Sequence, residues 1–143
     1  DPQWQEIDAL LPRSNLPGQI EFSASVQGIE VFCDPMLPKV FFNLLDNSLR
    51  HGERVTRISV TASPTPDGLT LVWEDNGTGI EPGLKERIFD RGFGKNTGLG
   101  LFLVREILAP TRITIRETGI FGTGARFEIL VPKGMYRTNN NKS

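Results

Sequence analysis

A two-layer α/β sandwich, with helices covering one face of a mixed and mostly antiparallel sheet, is the fold class that this 143-residue sequence predicts. Three observations lead there. The element order reads strand, strand, helix, strand, strand, loop, helix, strand, strand, which is not the regular alternation of a doubly wound parallel sheet. Strand-like runs come in pairs with turn residues between them, and one helix carries a clean apolar stripe that has to be buried against another layer. With 38% hydrophobic residues, the chain can build one domain with a substantial core.

Residues 1–18 are rich in Pro, carry the apolar anchors Trp4, Ile7, Leu10 and Leu11, and close on Leu16-Pro17-Gly18, so they read as an incoming connector. The domain proper is expected over residues 19–135. Gln19 to Val26 and Glu30 to Cys33 are strand-like, and Gln27-Gly28 between them suits a two-residue hairpin turn. Asp34 can then cap a helix that has Pro35 at its first position and Gly52 as its stop. Along that helix Leu37, Val40, Phe41, Leu44, Leu45 and Leu49 form the apolar stripe, while Asn43, Asn47 and Arg50 form a second, polar one. At about 100° per residue these three side chains project within about 60° of one another and share one face beside the core. Asn is a poor helix former, so two on one face invite a functional explanation.

Arg57 to Ala62 alternates polar and apolar residues, Pro64 to Gly68 makes a turn, and Leu69 to Asp75 resumes extended structure as a second hairpin. Residues 76–98 are dominated by Gly and polar or charged residues, broken by a short helical stretch over Leu84 to Phe89. Gly98 to Leu108 is helical, and Arg112 to Glu117 and Ala125 to Val131 are the last two strands. Residues 136–143 form a disordered tail, ending in Thr138 to Ser143 without a hydrophobic anchor.

Acidic and basic residues number 17 and 16, so no basic field attracts nucleic acid or an anionic membrane. Cys33 stands alone, which excludes an internal disulfide and a cysteine-rich zinc site and agrees with a reducing compartment. No apolar run approaches the roughly 20 residues that span a bilayer, and the start has no signal-peptide character. A soluble, cytoplasmic piece without direct membrane contact is expected, whatever anchors its parent protein.

Three glycine-bearing segments stand at element ends: Asp75 to Gly79, Gly92 to Gly100, and Gly122 to Gly124. Each alone is a turn signal, yet Gly98 to Gly100 opening a helix would aim free N–H groups and the positive dipole end at an anion. The phosphate-loop pattern G-x-x-x-x-G-K-[ST], the dinucleotide pattern G-x-G-x-x-G and protein-kinase signatures are all absent.

What the segments resemble, in order and over most of residues 36–131, is the ATP-binding domain of sensor histidine kinases, within the wider group that holds Hsp90, MutL and type II topoisomerase ATPases. Asn43-Leu44-Leu45-Asp46-Asn47-Ser48-Leu49-Arg50-His51 is similar to its N box, Asp75-Asn76-Gly77-Thr78-Gly79-Ile80 to its first glycine box, and Ile88 to Phe93 to its F box. Gly98-Leu99-Gly100-Leu101 is similar to the second glycine box, and Gly122 to Phe127 to the final glycine motif. The resemblance implies an ATP lid between the N-box helix and the helix that follows the second glycine box. It also implies ATP as substrate with Mg²⁺ as cofactor.

By the same resemblance, Asp75 would accept a hydrogen bond from the adenine amine, and Ala substitution there would abolish nucleotide binding with little effect on folding. Asn47 would ligate Mg²⁺ through its amide oxygen, which suits an ion that prefers oxygen. Asn43 and Arg50 would lie beside the triphosphate, Gly98, Leu99 and Gly100 would offer backbone N–H groups, and Lys95 would add charge from the lid. Gly77 and Gly79 would leave room for the nucleotide, with Thr123 next to adenine. Ile80, Phe89, Phe93, Gly94 and Leu101 would complete the binding surface, and His51 would be structural or nucleotide-adjacent.

Asn43 decides between branches of the group. ATPase members usually carry Glu there as general base, and an amide cannot take a proton. The expectation is therefore a histidine kinase catalytic domain whose phosphoacceptor histidine lies elsewhere, because His51 is the only histidine. Its partners would be a histidine-bearing dimerisation domain and a response regulator, with the isolated domain monomeric and the full kinase a homodimer. The lid is short, with Gly94 and Lys95 where the family often places Arg. An ATPase of the same fold and a non-catalytic nucleotide-sensing module are the alternatives.

Overall fold

Eight strands and three α-helices occupy the residues that the computed structural model describes, 1–14, 16–51, 54–93 and 100–138. The larger sheet contains β2 (Glu21–Ser25), β4 (Arg57–Thr65), β5 (Gly68–Asp75), β6 (Thr114–Glu117) and β7 (Arg126–Pro132) in the order β2-β4-β5-β7-β6. Only β2 and β4 pair in parallel; the other pairs are antiparallel, as the sequence predicts. A second sheet joins β1 (Gln3–Glu6), β3 (Ile29–Cys33) and β8 (Tyr136–Thr138) in the order β1-β3-β8. The helices are α1 (Ile7–Leu10), α2 (Leu37–His51) and α3 (Gly100–Leu108).

Alternation along the central strands explains the layering. Ile58 and Val60 of β4, Leu71 and Trp73 of β5, and Phe127 and Ile129 of β7 point to one face and are buried. That face joins Val40, Phe41 and Leu44 of α2 and Val104 and Leu108 of α3 in one hydrophobic cluster. Ser59, Thr61, Glu74, Arg126 and Glu128 alternate with the buried residues and face away from the helices. Asp34 starts α2 as expected, its Oδ1 accepting the Met36 N–H at 2.8 Å.

Four local readings need correction. First, β2 and β3 do not form a hairpin: β2 hydrogen-bonds β4, while both edges of β3 are taken by β1 and β8. Gln27-Gly28 still turns the chain, with Gly28 at φ 78°, but passes it from one sheet to the other. Second, residues 1–18 do more than connect. β1 pairs along β3, and Ile7 is fully buried in the core. Third, Tyr136–Thr138 form β8 on the other edge of β3, held also by an Arg137 to Glu30 ion pair at 2.6 Å and by Arg137 over the Trp4 ring. Residues 139–143 lie outside the described residues.

Fourth, the β4–β5 turn is shorter than expected, because the ladder runs to Thr65 opposite Gly68 and leaves only Pro66-Asp67 between them. Pro64 is tolerated because the β2–β4 ladder ends at Thr61, so its missing N–H breaks no bond there. Leu84 to Phe89 resolves into two 3₁₀ turns, Pro82–Leu84 and Arg87–Phe89.

Candidate functional site

Asp75 closes β5 at the foot of the helix layer, and the residue is 6% exposed. Its Oδ1 accepts the N–H groups of Gly77 at 2.9 Å and Ala125 at 3.1 Å, and its Oδ2 accepts the Ser48 hydroxyl at 2.7 Å. A carboxylate offers about four acceptor directions, so these three donors leave one open. These bonds argue against the expectation that Asp75→Ala would hardly touch folding, because three buried donors would lose their acceptor.

Ser48 is a buried neighbour of Asp75 that sequence reasoning missed. It lies on α2 one residue past Asn47, 1% exposed, with its Oγ accepting the Trp73 indole N–H at 3.1 Å. The signal was a polar residue four past Leu44 and seven past Phe41, on the apolar side of the helix. Leu49, counted in that stripe, is instead 38% exposed. Ser48 takes its place at the buried face.

The two asparagines lie half-buried on the same helix. Asn43 Nδ2 donates to the carbonyl of Gly100 at 3.0 Å, tying α2 to the first residue of α3. The Asn47 side chain makes no hydrogen bond with any described residue, and its amide oxygen is of the kind that a metal also held by phosphate oxygens takes. That open oxygen donor fits Mg²⁺. Among the described residues no cluster of His, Cys, Asp or Glu could hold a metal by itself. Arg50 pairs with Asp46, one helical turn before it, at 3.0 Å on the exposed side of the helix.

The glycine-bearing turns divide by what needs them. A Cβ on Gly79, which has φ 84°, would stand 2.9 Å from the Ile120 carbonyl, and one on Gly124 would stand 2.0 Å from the Asp75 carbonyl. Here the close approach is made by the protein's own backbone, which seats the 119–124 turn against the end of β5. Gly77 spends its N–H on Asp75. Gly100 differs, since a Cβ there would meet nothing within 4 Å.

Glu117 is a second residue missed from sequence. Its fully buried carboxylate pairs with Lys85 and accepts the N–H groups of Gly119 at 3.1 Å and Arg126 at 3.0 Å, holding the root of the same turn. Asn76 secures the other side, its Oδ1 accepting the N–H groups of Thr56 and Arg57, both at 2.9 Å. Thr123 is exposed on the turn these bonds stabilise. With Asp75, Asn76, and Glu21 and Ser23 of β2, it lines a hollow of ≈ 290 Å³ whose lining includes neither Asn43 nor Asn47.

Two expected wall residues belong to the core. Phe89 is 2% exposed, edge-on to Phe127 at 6.3 Å and covered by the Arg105 guanidinium at 4.1 Å. Leu101 is buried on α3, while Ile80 and Phe93 are partly buried against the same cluster. Gly94, Lys95, Gly98 and Leu99 lie outside the described residues, as does the His51 side chain at the end of α2.

Residues 34–135 match the family described as histidine kinase-, DNA gyrase B-, and HSP90-like ATPase. The chain is similar to a probable C4-dicarboxylate sensor kinase of Bacillus subtilis, with 38% identity over 63% of this chain and 18% of that protein. It is also similar to the sensor histidine kinase ZraS of Escherichia coli, with 34% identity over 83% of this chain and 27% of that one. It thus spans less than a third of either relative. Its fold matches the ATP binding domain of PrrB from Mycobacterium tuberculosis with a TM-score of 0.74, at 24% identity over 92% of this chain and 97% of that one. No helix among the described residues is long and apolar enough to cross a membrane.

Proposed function

This chain belongs to the histidine kinase-, DNA gyrase B-, and HSP90-like ATPase family, and from that premise we propose that it is the catalytic part of a sensor histidine kinase, binding Mg-ATP and presenting its γ-phosphate to a histidine on a separate domain. The observation that carries the reading is the Asp75 carboxylate, buried, held by three donors and left with one open acceptor direction. An exocyclic amine matches that direction, whereas a base bearing a carbonyl at the same place would set acceptor against acceptor.

The remaining roles follow from position and chemistry. Asn47 would hold Mg²⁺ through its amide oxygen, and the ion supplies charge neutralisation to the phosphates when bound. Gly100 opens α3, so the positive end of that helix would face the phosphate chain, beside Asn43. Asn43 cannot act as a base. In the transfer, a nitrogen of the acceptor imidazole forms a bond to the γ-phosphorus while the bond to the β-phosphate oxygen breaks and ADP leaves. The imidazole proton passes to a base on the acceptor's own domain. What this domain contributes is positioning.

A dimerisation domain bearing the histidine and a response regulator that receives the phosphoryl group on an aspartate are the partners this chemistry requires. The same-fold ATPase alternative lacks a base at Asn43. Equilibrium titration with ATP, with and without Mg²⁺, tests the binding half on the wild type and Asp75→Asn. Saturable binding that Asp75→Asn abolishes is expected; a folded wild type that binds no ATP refutes it. Labelled phosphate appearing on a separately supplied histidine domain, without appreciable hydrolysis by this chain alone, tests the transfer half.

A further inference from the structure

Trp73, Ser48 and Asp75 form a one-way hydrogen-bond relay ending on the carboxylate assigned above to the adenine amine. The indole N–H of Trp73 can only donate, and it lies 3.1 Å from Ser48 Oγ. It occupies a lone pair of that oxygen, and the single hydroxyl proton points at Asp75 Oδ2, 2.7 Å away. Trp73 and Ser48 are each 1% exposed, so no bulk water competes to turn the hydroxyl. Gly77 and Ala125 donate to Oδ1 in the same sense. Every described group that hydrogen-bonds the carboxylate is therefore a donor, and together they fix where its two oxygens stand.

We propose that Ser48, its hydroxyl aimed by Trp73, is a positioning residue that sets nucleobase specificity by holding Asp75 Oδ2 in place as the acceptor that faces the base. The inference rests on the reading of Asp75 as the adenine contact. Deprived of the Ser48 donor, Oδ2 is free to turn away from that direction, and the amine loses a fixed acceptor. A purine with a carbonyl in place of the amine has no such bond to lose and is no longer opposed by a fixed acceptor, so the preference for the amine falls. Ser48 follows Asn47 directly, so one turn of α2 would set both the metal ligand and the base preference.

The test titrates wild type, Ser48→Ala, Ser48→Thr and Trp73→Phe, each shown folded by circular dichroism, with ATP and with ITP, which carries a carbonyl where adenine has its amine. Ser48→Ala is expected to narrow the ATP-to-ITP affinity ratio about tenfold, the factor set by one lost bond to a charged acceptor. Trp73→Phe narrows it less, because the hydroxyl remains but is free to turn, and Ser48→Thr preserves it. Equal proportional losses for the two nucleotides, or no loss, overturn the proposal, since a purely structural role moves both together. Should Ser48→Ala not fold, the ratio for Trp73→Phe decides by the same criterion. Failure of the underlying reading looks different: the wild type itself then fails to prefer ATP.

Discussion

Replacing Asp75 separates its part in the fold from its part in binding. In Asp75→Ala the donors Ser48, Gly77 and Ala125 all lose their acceptor inside the protein. A hydrogen bond to a charged group contributes about 1.5–3 kcal/mol. Three that share one acceptor are not additive, so the expected loss is on the order of 4 kcal/mol. Against a total stability of about 5–15 kcal/mol, that brings the variant close to unfolding. Asp75→Asn is the cleaner perturbation. Its amide oxygen can keep both backbone donors at Oδ1, and only the Ser48 bond is disturbed, at about 1–3 kcal/mol. Its NH₂ would then oppose the adenine amine, donor against donor. Urea unfolding of the three proteins gives the stability difference, and calorimetric titration with Mg-ATP gives affinity. Asp75→Ala losing less than about 1 kcal/mol would refute the hydrogen-bond reasoning, and Asp75→Asn binding ATP like the wild type would refute the adenine assignment.

Other predictions use features further from the carboxylate. Burial pushes the Glu128 carboxyl up, but hydrogen bonds from Thr118, Arg116 and Arg126 outweigh it and hold its pKa below the ordinary value. Its stabilisation is therefore present above the unfolded pKa and lost as pH falls through the folded one. The stability gap between wild type and Glu128→Gln should shrink on acidification from neutrality, and a constant gap would contradict this. Gly124→Ala drives a Cβ to 2.0 Å from the Asp75 carbonyl at φ 154° and should lower stability by more than about 3 kcal/mol. Gly100→Ala meets open space and should keep or slightly raise stability while weakening ATP binding, and unchanged affinity would remove Gly100 from the phosphate site. Burial raises the pKa of the Cys33 thiol, so a thiol reagent at neutral pH should modify it only as fast as the protein unfolds.

Local patterning accounts for what could be read in advance. The α2 stripe, the β4–β5 hairpin and the order of glycine turns depend on residues within a few positions of each other, so periodicity and turn chemistry carry them. Asn43 and Asn47 fall on one helix by spacing alone, and the family match over 34–135 agrees with the motifs that suggested it. Arg50 shows the limit of spacing. Its direction along α2 was legible, whereas its ion pair with Asp46 on the same helix was not read from the spacing.

What only the tertiary structure decided are the choices that pit distant partners against each other. Strand β2 had a turn suited to pairing with β3, yet β4 took it, because hydrogen-bond ladders are awarded by the whole sheet and not by the turn between neighbours in sequence. Phe89 was expected at the nucleotide and became core, since Phe127 and Arg105 arrive from elements well separated from it in the chain. Asp75 itself stood out in the sequence, but its three donors come from α2, the turn after β5 and the segment before β7. A carboxylate's chemistry depends on which dipoles surround it in space, and those dipoles are assembled only when the layers close.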